Sequence, residues 1–253
     1  MITACFRFYA ELNDFLPGNK KQKSFNFLFP GHSSIKQVIE SLGIPHPEID
    51  LILVNGESVN FSYRPQDGDN ISVYPVFESL NISSINKLRP APLREPSFVL
   101  DIHLGKLATY LRILGLDTYY QNDSEDLALA EISNRENRIL LTRDRGLLKR
   151  NLVTHGYCIR STQARQQLKE VIQRFDLAED LSPLKRCLKC NGLLQPVEKE
   201  KVLDQLKPRT KRYYDQFFIC PGCKKVYWKG SHYYKMRKFV NTILQENGSS
   251  KAL

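Results

Sequence analysis

Four of the six cysteines in this 253-residue chain stand in two Cys-x-x-Cys pairs, Cys187/Cys190 and Cys220/Cys223. Two such pairs are typical of a zinc ribbon, in which each pair forms one knuckle of a tetrahedral four-thiolate site. Four thiolates leave no open coordination position, so the ion is structural. A redox-active Cys-x-x-Cys needs a strand followed by a helix, and neither pair has that context. The sequence therefore predicts one structural zinc ion near its C-terminus.

The spacer between the two pairs is 29 residues long, which is longer than in the commonest zinc ribbons. This length allows a hairpin with a charged tip at residues 207–212. Asn191-Gly192 and Gly222 are expected to supply the tight turns of the knuckles. We accordingly assign residues 183–246 to a zinc ribbon with a basic extension, and residues 247–253 to a disordered tail.

Charge is distributed unevenly along the chain. The 37 Lys and Arg against 27 Asp and Glu give a net charge of +10. Residues 1–85 hold 6 basic and 9 acidic residues (net −3), whereas residues 86–253 hold 31 and 18 (net +13). A basic C-terminal part suits a polyanion such as nucleic acid. No apolar run approaches the roughly 20 residues of a membrane helix, and no secretory signal is evident, so we expect a cytoplasmic protein without a membrane partner.

The first 80 residues read as a small β-rich domain with one helix. Phe6 and Phe8 continue an alternation that starts at Ile2, residues 25–29 repeat it, and Ser33 or Ser34 can cap a helix that ends at Gly43. The element order is ββαβ(β)β. This order, together with the sequences of residues 54–57 and 67–75, resembles the β-grasp family of sulfur carriers and ubiquitin-like proteins. Sulfur carriers of that family end in Gly-Gly, whereas this chain continues beyond Pro75, so we retain the fold and a role in docking a protein partner.

Residues 81–96 have a linker composition, with Asn, Ser and three prolines. From residue 97 the periodicity changes to short apolar strands that alternate with helical stripes. Such alternation predicts a parallel three-layer α/β domain over residues 97–182.

Carboxylates follow two of the predicted strands of that domain. Asp101 ends the first, Asp144 comes just after the third, and Asp126 stands at the start of the second helix. The carboxyl ends of parallel strands meet at one edge, and converging carboxylates are relieved by a divalent cation. Each residue alone is more often a turn or helix-start residue. Neighbouring groups that can replace Asp126 in the set are Asn122, Asp123, Glu125 and Glu131.

Three runs in this region, 99–108, 111–118 and 138–144, closely resemble the PIN-like ribonuclease domain first recognised at the C-terminus of the mutator-seven exonuclease. That family adds a zinc ribbon with the pattern seen here from Arg186 to His232, and a bacterial branch is fused to a β-grasp domain. The resemblance implies a ribonuclease that uses Mg²⁺ or Mn²⁺, with Asp101, Asp126 and Asp144 as catalytic residues and metal ligands.

Basic and aromatic side chains around the ribbon suit single-stranded RNA, which binds through cations and stacking rings. The alternative is that the rings pack the ribbon onto the α/β domain and that the charges are simply solvated. The predicted RNA contacts are Lys106, Arg143, Arg145, Lys224, Lys225, Trp228, Lys229 and His232.

We therefore expect a β-grasp domain, a PIN-like nuclease domain and a zinc ribbon acting on RNA. A second hypothesis is a non-catalytic RNA-binding adaptor that docks partners through the β-grasp domain. A third is an interaction protein in sulfur or cofactor metabolism, against which the missing Gly-Gly counts.

Overall fold

The computed structural model describes residues 1–75, 87–88, 96–177, 181–182 and 185–246. The predicted linker at 81–96 lies almost entirely outside these residues, and the predicted tail at 247–253 lies wholly outside them. Contacts divide the chain into two compact units. The first comprises Met1–Glu95 and Asp126–Cys158, and the second comprises Pro96–Glu125 and Ile159–Leu253.

The elements are numbered in chain order. The strands are β1 (Ile2–Phe8), β2 (Phe25–Phe29), β3 (Ile49–Val54), β4 (Glu57–Ser58), β5 (Asn70–Pro75), β6 (Phe98–Leu100), β7 (Thr118–Tyr119), β8 (Ile139–Thr142), β9 (Gly156–Cys158), β10 (Gln195–Val197), β11 (Phe217–Ile219) and β12 (Val226–Trp228). The α-helices are α1 (Ile35–Ser41), α2 (Gly105–Ile113), α3 (Asp126–Arg135), α4 (Arg145–Leu148), α5 (Ala164–Arg174), α6 (Pro208–Tyr213) and α7 (Ser231–Glu246).

The N-terminal part of the first unit is a mixed five-stranded sheet in the order β2-β1-β5-β3-β4. Strand β1 runs parallel to β5 and antiparallel to β2, which is the β-grasp arrangement. Phe6 and Phe8 are buried on β1 because alternate residues of a strand face the same side. Asn55 and Gly56 both have positive φ (51° and 91°) and form the tight turn between β3 and β4. The predicted order of elements is confirmed.

Helix α1 begins and ends where its sequence predicts. The Ser34 side chain accepts a hydrogen bond from the Gln37 N–H, and the Gln37 side chain accepts one from the Ser34 N–H. These two reciprocal hydrogen bonds form a capping box at the start of the helix. Gly43 follows the helix with φ of 96°, a conformation that glycine adopts without a Cβ clash. The ubiquitin-like domain therefore places its helix by local signals.

The rest of the first unit is α3, β8, α4 and β9, with β8 parallel to β9. This segment contacts the ubiquitin-like domain through polar groups. Nε2 of His46 donates to the Val153 carbonyl oxygen at 2.8 Å, and the fully buried Glu48 accepts from the Cys158 N–H at 2.5 Å. Lys149 Nζ adds a hydrogen bond of 2.6 Å to a carbonyl oxygen of α1. These bonds join residues more than 100 positions apart in sequence.

The second unit combines parallel strands β6 and β7 with helices α2 and α5, and carries the ribbon sheet β10-β11-β12. The predicted hairpin is present as the antiparallel pair β10 and β11, and Lys207, Arg209 and Arg212 at its tip are exposed. The spacer folds into a 3-10 helix, Lys199–Gln205, followed by α6, because Pro208 is suited to the first turn of a helix. Val202 and Leu206 then pack on Phe217.

Helix α7 was not predicted. Its buried residues Val240 and Ile243 continue a stripe from Tyr233 and Met236, but lysines and tyrosines between them obscure the periodicity. No helix in the described ranges is both long and apolar enough to cross a membrane.

Candidate functional site

The structure brings the four predicted zinc ligands together. The Sγ atoms of Cys187, Cys190, Cys220 and Cys223 all lie within 4.8 Å of one another. Those of Cys187 and Cys223 are 3.5 Å apart, and those of Cys190 and Cys220 are 3.3 Å apart. Two thiolates bound to one tetrahedral zinc ion, each about 2.3 Å from it, are separated by roughly 3.8 Å. An all-thiolate donor set at this spacing fits structural zinc.

The two knuckles have the same backbone geometry. The Cys187 carbonyl accepts from the Asn191 N–H and the Cys220 carbonyl from the Lys224 N–H, both at 2.9 Å. Asn191 and Lys224 have φ of 70° and 58°. The residue that follows the second cysteine of each pair therefore has a left-handed backbone conformation. Asparagine tolerates this conformation, whereas lysine there is less common. Gly222 lies in the turn of the second knuckle, and it does so without a positive φ.

Hydrogen bonds tune the thiol at Cys187. Burial raises its pKa, but hydrogen bonds from the Tyr227 hydroxyl and from the N–H groups of Cys190 and Lys189 outweigh burial and lower the pKa to about 6. Burial raises the pKa of Cys190 to about 12. The Tyr227 hydroxyl lies 3.2 Å from Cys187 Sγ and accepts from the Leu188 N–H at 3.1 Å, while burial raises its own pKa. Tyr227 therefore holds the predicted zinc ligand Cys187 in position through a hydrogen bond to its sulfur.

A buried arginine that the sequence analysis did not single out holds the first knuckle. Arg112, on α2, is 4% exposed and donates to the carbonyl oxygens of Thr118, Leu188 and Lys189 at 3.0 to 3.1 Å. Burial lowers the pKa of this guanidinium. The apolar stripe of α2 gave no reason to expect a buried charge. Arg112 is the link between α2, β7 and the zinc ribbon.

A second polar contact surrounds Asn191. Its side chain accepts from the Thr118 N–H at 3.0 Å and donates to Asp117 at 2.8 Å. Arg186 lies 3.1 Å from the other oxygen of Asp117 and donates to the Gly115 and Asn191 carbonyls. These bonds fix the first knuckle against the turn before β7.

The predicted acidic residues stand at element ends. Asp101 follows β6, is 5% exposed and accepts from the His103 N–H at 2.6 Å. Asp144 follows β8, is exposed and caps α4 by accepting from the Gly146 N–H at 2.7 Å. Both aspartates therefore cap a helical turn immediately after a buried parallel strand.

Asp126 is the first residue of α3 and is half exposed, and Nη2 of Arg150 lies 3.8 Å from its carboxylate. An exposed pair at this distance contributes little to stability. Asp126 and Asp144 belong to the first unit and Asp101 to the second, so the convergence of the three carboxylates stays a prediction.

All eight predicted RNA contacts are exposed. Seven of them are Lys106, Arg143, Lys224, Lys225, Trp228, Lys229 and His232. Arg145 is also exposed, but its guanidinium lies over the Phe15 ring of the ubiquitin-like domain, 4.9 Å from the ring centroid. Trp228 is 37% exposed, and its ring lies 6.5 Å from those of Tyr214 and Phe217. Ring packing within the ribbon therefore accounts for part of the aromatic content.

The fold and the cysteine site define a multidomain α/β protein with a ubiquitin-like domain and a ribbon whose four cysteines are compatible with structural zinc. Comparison with protein families identifies the family of two parts of the chain. Residues 96–240 match the Mut7-C RNAse domain, and residues 1–81 match the Mut7-C ubiquitin domain. The chain belongs to the Mut7-C RNAse domain family, and this membership supports a nuclease-like function. No curated protein and no solved structure matches the chain.

Proposed function

We propose that this protein is a cytoplasmic ribonuclease that hydrolyses RNA phosphodiester bonds with the help of Mg²⁺ or Mn²⁺. The observation that carries the proposal is the match of residues 96–240 to the Mut7-C RNAse domain. The positions of Asp101 and Asp144 directly after parallel strands support it, since functional residues of parallel sheets collect at the strands' carboxyl ends.

Asp101, Asp126 and Asp144 would hold the divalent cation. Carboxylate oxygens are the hard donors that Mg²⁺ and Mn²⁺ prefer, so the donor set fits. Asp144 uses Oδ1 to cap α4, and its Oδ2 has no partner among the residues that the structure describes. Held by these carboxylates, a divalent cation would stabilise negative charge on the phosphate and would lower the pKa of a water molecule.

The chain's own residues have distinct tasks in this proposal. The hydrogen bond from the His103 N–H fixes the orientation of the Asp101 carboxylate. Exposed lysines of the ribbon, with Lys106 and Arg143, would bind backbone phosphates of single-stranded RNA. The ubiquitin-like domain would dock a protein partner, as its family match suggests.

The test is cleavage of labelled single-stranded and structured RNAs by zinc-loaded protein with Mg²⁺, Mn²⁺ or neither. The decisive variant is Asp144→Asn, because asparagine still caps a helix but removes the ligand charge. Asp204→Asn, at an exposed position in the ribbon spacer, is the matched control.

We expect metal-dependent cleavage that falls at least 100-fold in Asp144→Asn and is unchanged in Asp204→Asn. Equal cleavage by both variants would refute the assignment of Asp144. RNA binding without cleavage under any metal would favour the non-catalytic adaptor instead.

A further inference from the structure

A cavity of about 220 Å³ opens between the zinc ribbon and α7 in the second unit. Four aromatic residues line it, Phe218, Tyr227, Trp228 and Tyr233. Met236 adds apolar surface and Lys229 stands in the lining as a cation. Flat apolar walls of this kind suit a planar ring better than a charged group.

The charges around the cavity point to a polyanion. Residues 216–245 contain six Lys and Arg and no Asp or Glu. Lys229 has no hydrogen-bond or ion-pair partner within the described ranges. Arg186 also lines the cavity, but its guanidinium is engaged by Asp117 and two carbonyls. Lys229 is thus the lining cation that remains available to a ligand.

Two of the walls are held in place by the ribbon itself. The Tyr227 hydroxyl is hydrogen-bonded to Cys187 Sγ and to the Leu188 N–H, and these two contacts fix the position of its ring. Trp228 lies on β12, which is paired with β11 across Phe217. A ligand therefore meets walls that the zinc site has already ordered, which lowers the entropy lost on binding.

We propose that this cavity binds one unstacked nucleobase of a single-stranded RNA, with Lys229 neutralising a neighbouring phosphate. The proposal rests on the proposed function only in taking RNA as the ligand. Aromatic rings stack on any base, and stacking is worth about five- to 150-fold in affinity per base. Because the Tyr227 hydroxyl is already engaged, recognition is by stacking, and the cavity accepts all four bases with similar affinity.

The chain carries its own probe for this site. Trp228 is the single tryptophan of the sequence, so intrinsic tryptophan fluorescence reports on the cavity. Zinc-loaded full-length protein without added Mg²⁺ or Mn²⁺ is titrated with an eight-nucleotide oligouridine. The comparison is an oligomer with the same number of phosphates and abasic central positions. We expect the oligouridine to quench Trp228 and to bind about tenfold more tightly than the abasic oligomer.

Two adjacent tyrosines provide matched variants. Tyr233 lines the cavity, whereas Tyr234 is 58% exposed and is not in the lining. Tyr233→Ala should weaken oligouridine binding about tenfold and leave abasic binding unchanged, and Tyr234→Ala should alter neither. Zinc content and the emission spectrum of the free protein establish that each variant is folded.

Equal affinity for the two oligomers, or binding that leaves Trp228 emission unchanged, overturns the proposal and indicates phosphate contacts alone. The outcome is separable from that of the nuclease test. Base-dependent quenching in a protein that never cleaves RNA supports the cavity and refutes the enzyme, whereas cleavage without base-dependent quenching refutes the cavity alone.

Discussion

Arg112 illustrates how a charged side chain is accommodated in a protein interior. Taking a guanidinium out of water is costly, and the cost is offset here because carbonyl oxygens accept its N–H groups on several sides. Two of those oxygens, in Leu188 and Lys189, belong to the first zinc knuckle. Replacing the arginine would leave them unsatisfied and would remove the link between α2 and the ribbon.

We predict that Arg112→Met lowers the free energy of unfolding by about 3 kcal/mol, because several charged hydrogen bonds in a buried site are lost together. Urea unfolding of the zinc-loaded protein measures the change. The control is Arg135→Met, because Arg135 is exposed and pairs with its neighbour Glu136. Its effect should stay within about 0.5 kcal/mol. Similar values for the two variants would show that Arg112 does not anchor the knuckle.

The positions of Asp101 and Asp144 follow from the residues immediately around them in the sequence. Each follows a buried strand and caps a helical turn through a bond to the N–H two residues later. The sequence predicted their place after a strand, since strand and turn are both local. Neither the cap nor the strand reveals what the second carboxylate oxygen contacts.

At the scale of elements, the zinc ribbon has too little core to fold by hydrophobic burial. Its buried cluster consists of Val202, Leu206 and Phe217, with a few partly buried neighbours. Small units of this kind depend on a metal ion or disulfides for stability. The ribbon strands and α6 should therefore lose their order together when the ion is removed.

We predict one zinc ion per chain, and loss of that ion in Cys190→Ser. Metal analysis measures the content, and Trp228 emission should move to longer wavelength as β12 loses its packing. Cys5→Ser is the control, because Cys5 lies on β1 of the ubiquitin-like domain. A chain that keeps its zinc in Cys190→Ser, or keeps the Trp228 emission after chelation, would contradict this account of the ribbon.

The contact between the ubiquitin-like domain and residues 126–158 is a second feature at this scale. His46 is 6% exposed, with Nδ1 2.7 Å from the Glu40 carboxylate and Nε2 2.8 Å from the Val153 carbonyl oxygen. The imidazole therefore connects α1 to the loop before β9.

We predict that His46→Leu destabilises this contact by about 2 kcal/mol, because a buried carbonyl and a carboxylate lose their donors. Amide hydrogen exchange should quicken both near residue 46 and at residues 153–158. His32→Gln, at an exposed position of the same domain, should change neither segment. Faster exchange confined to residues near 46 would mean that the two segments open independently.

On the scale of the whole molecule, the N-terminal and C-terminal parts of the chain carry net charges of opposite sign. The acidic residues 1–85 and the basic residues 86–253 differ by 16 charges, from −3 to +13. We therefore expect a polyanion to bind to the basic part. The affinity should depend on salt concentration, because binding releases counterions from the polyanion.

We predict that Lys224→Gln with Lys225→Gln reduces the salt dependence of single-stranded RNA binding. The slope of log affinity against log salt should fall by about 1.4, since each phosphate contact to a single strand contributes about 0.7. Lys21→Gln with Lys23→Gln makes the same charge change in the ubiquitin-like domain and should leave the slope unaltered. Equal reductions in both would indicate a general charge effect without a defined RNA surface.

The amino-acid sequence by itself determined the four-cysteine cluster, the order of elements in the β-grasp domain, a serine cap at residue 33 or 34 and the family, because spacing, periodicity and capping act over a few residues. It did not reveal the burial of Arg112, the bond from His46 to Val153, the packing of Arg145 on Phe15, or the aromatic cavity beside α7. These depend on residues far apart in the chain that meet only after folding. Tertiary structure decided them because local pattern specifies which element a residue joins, and long-range packing specifies what that residue touches.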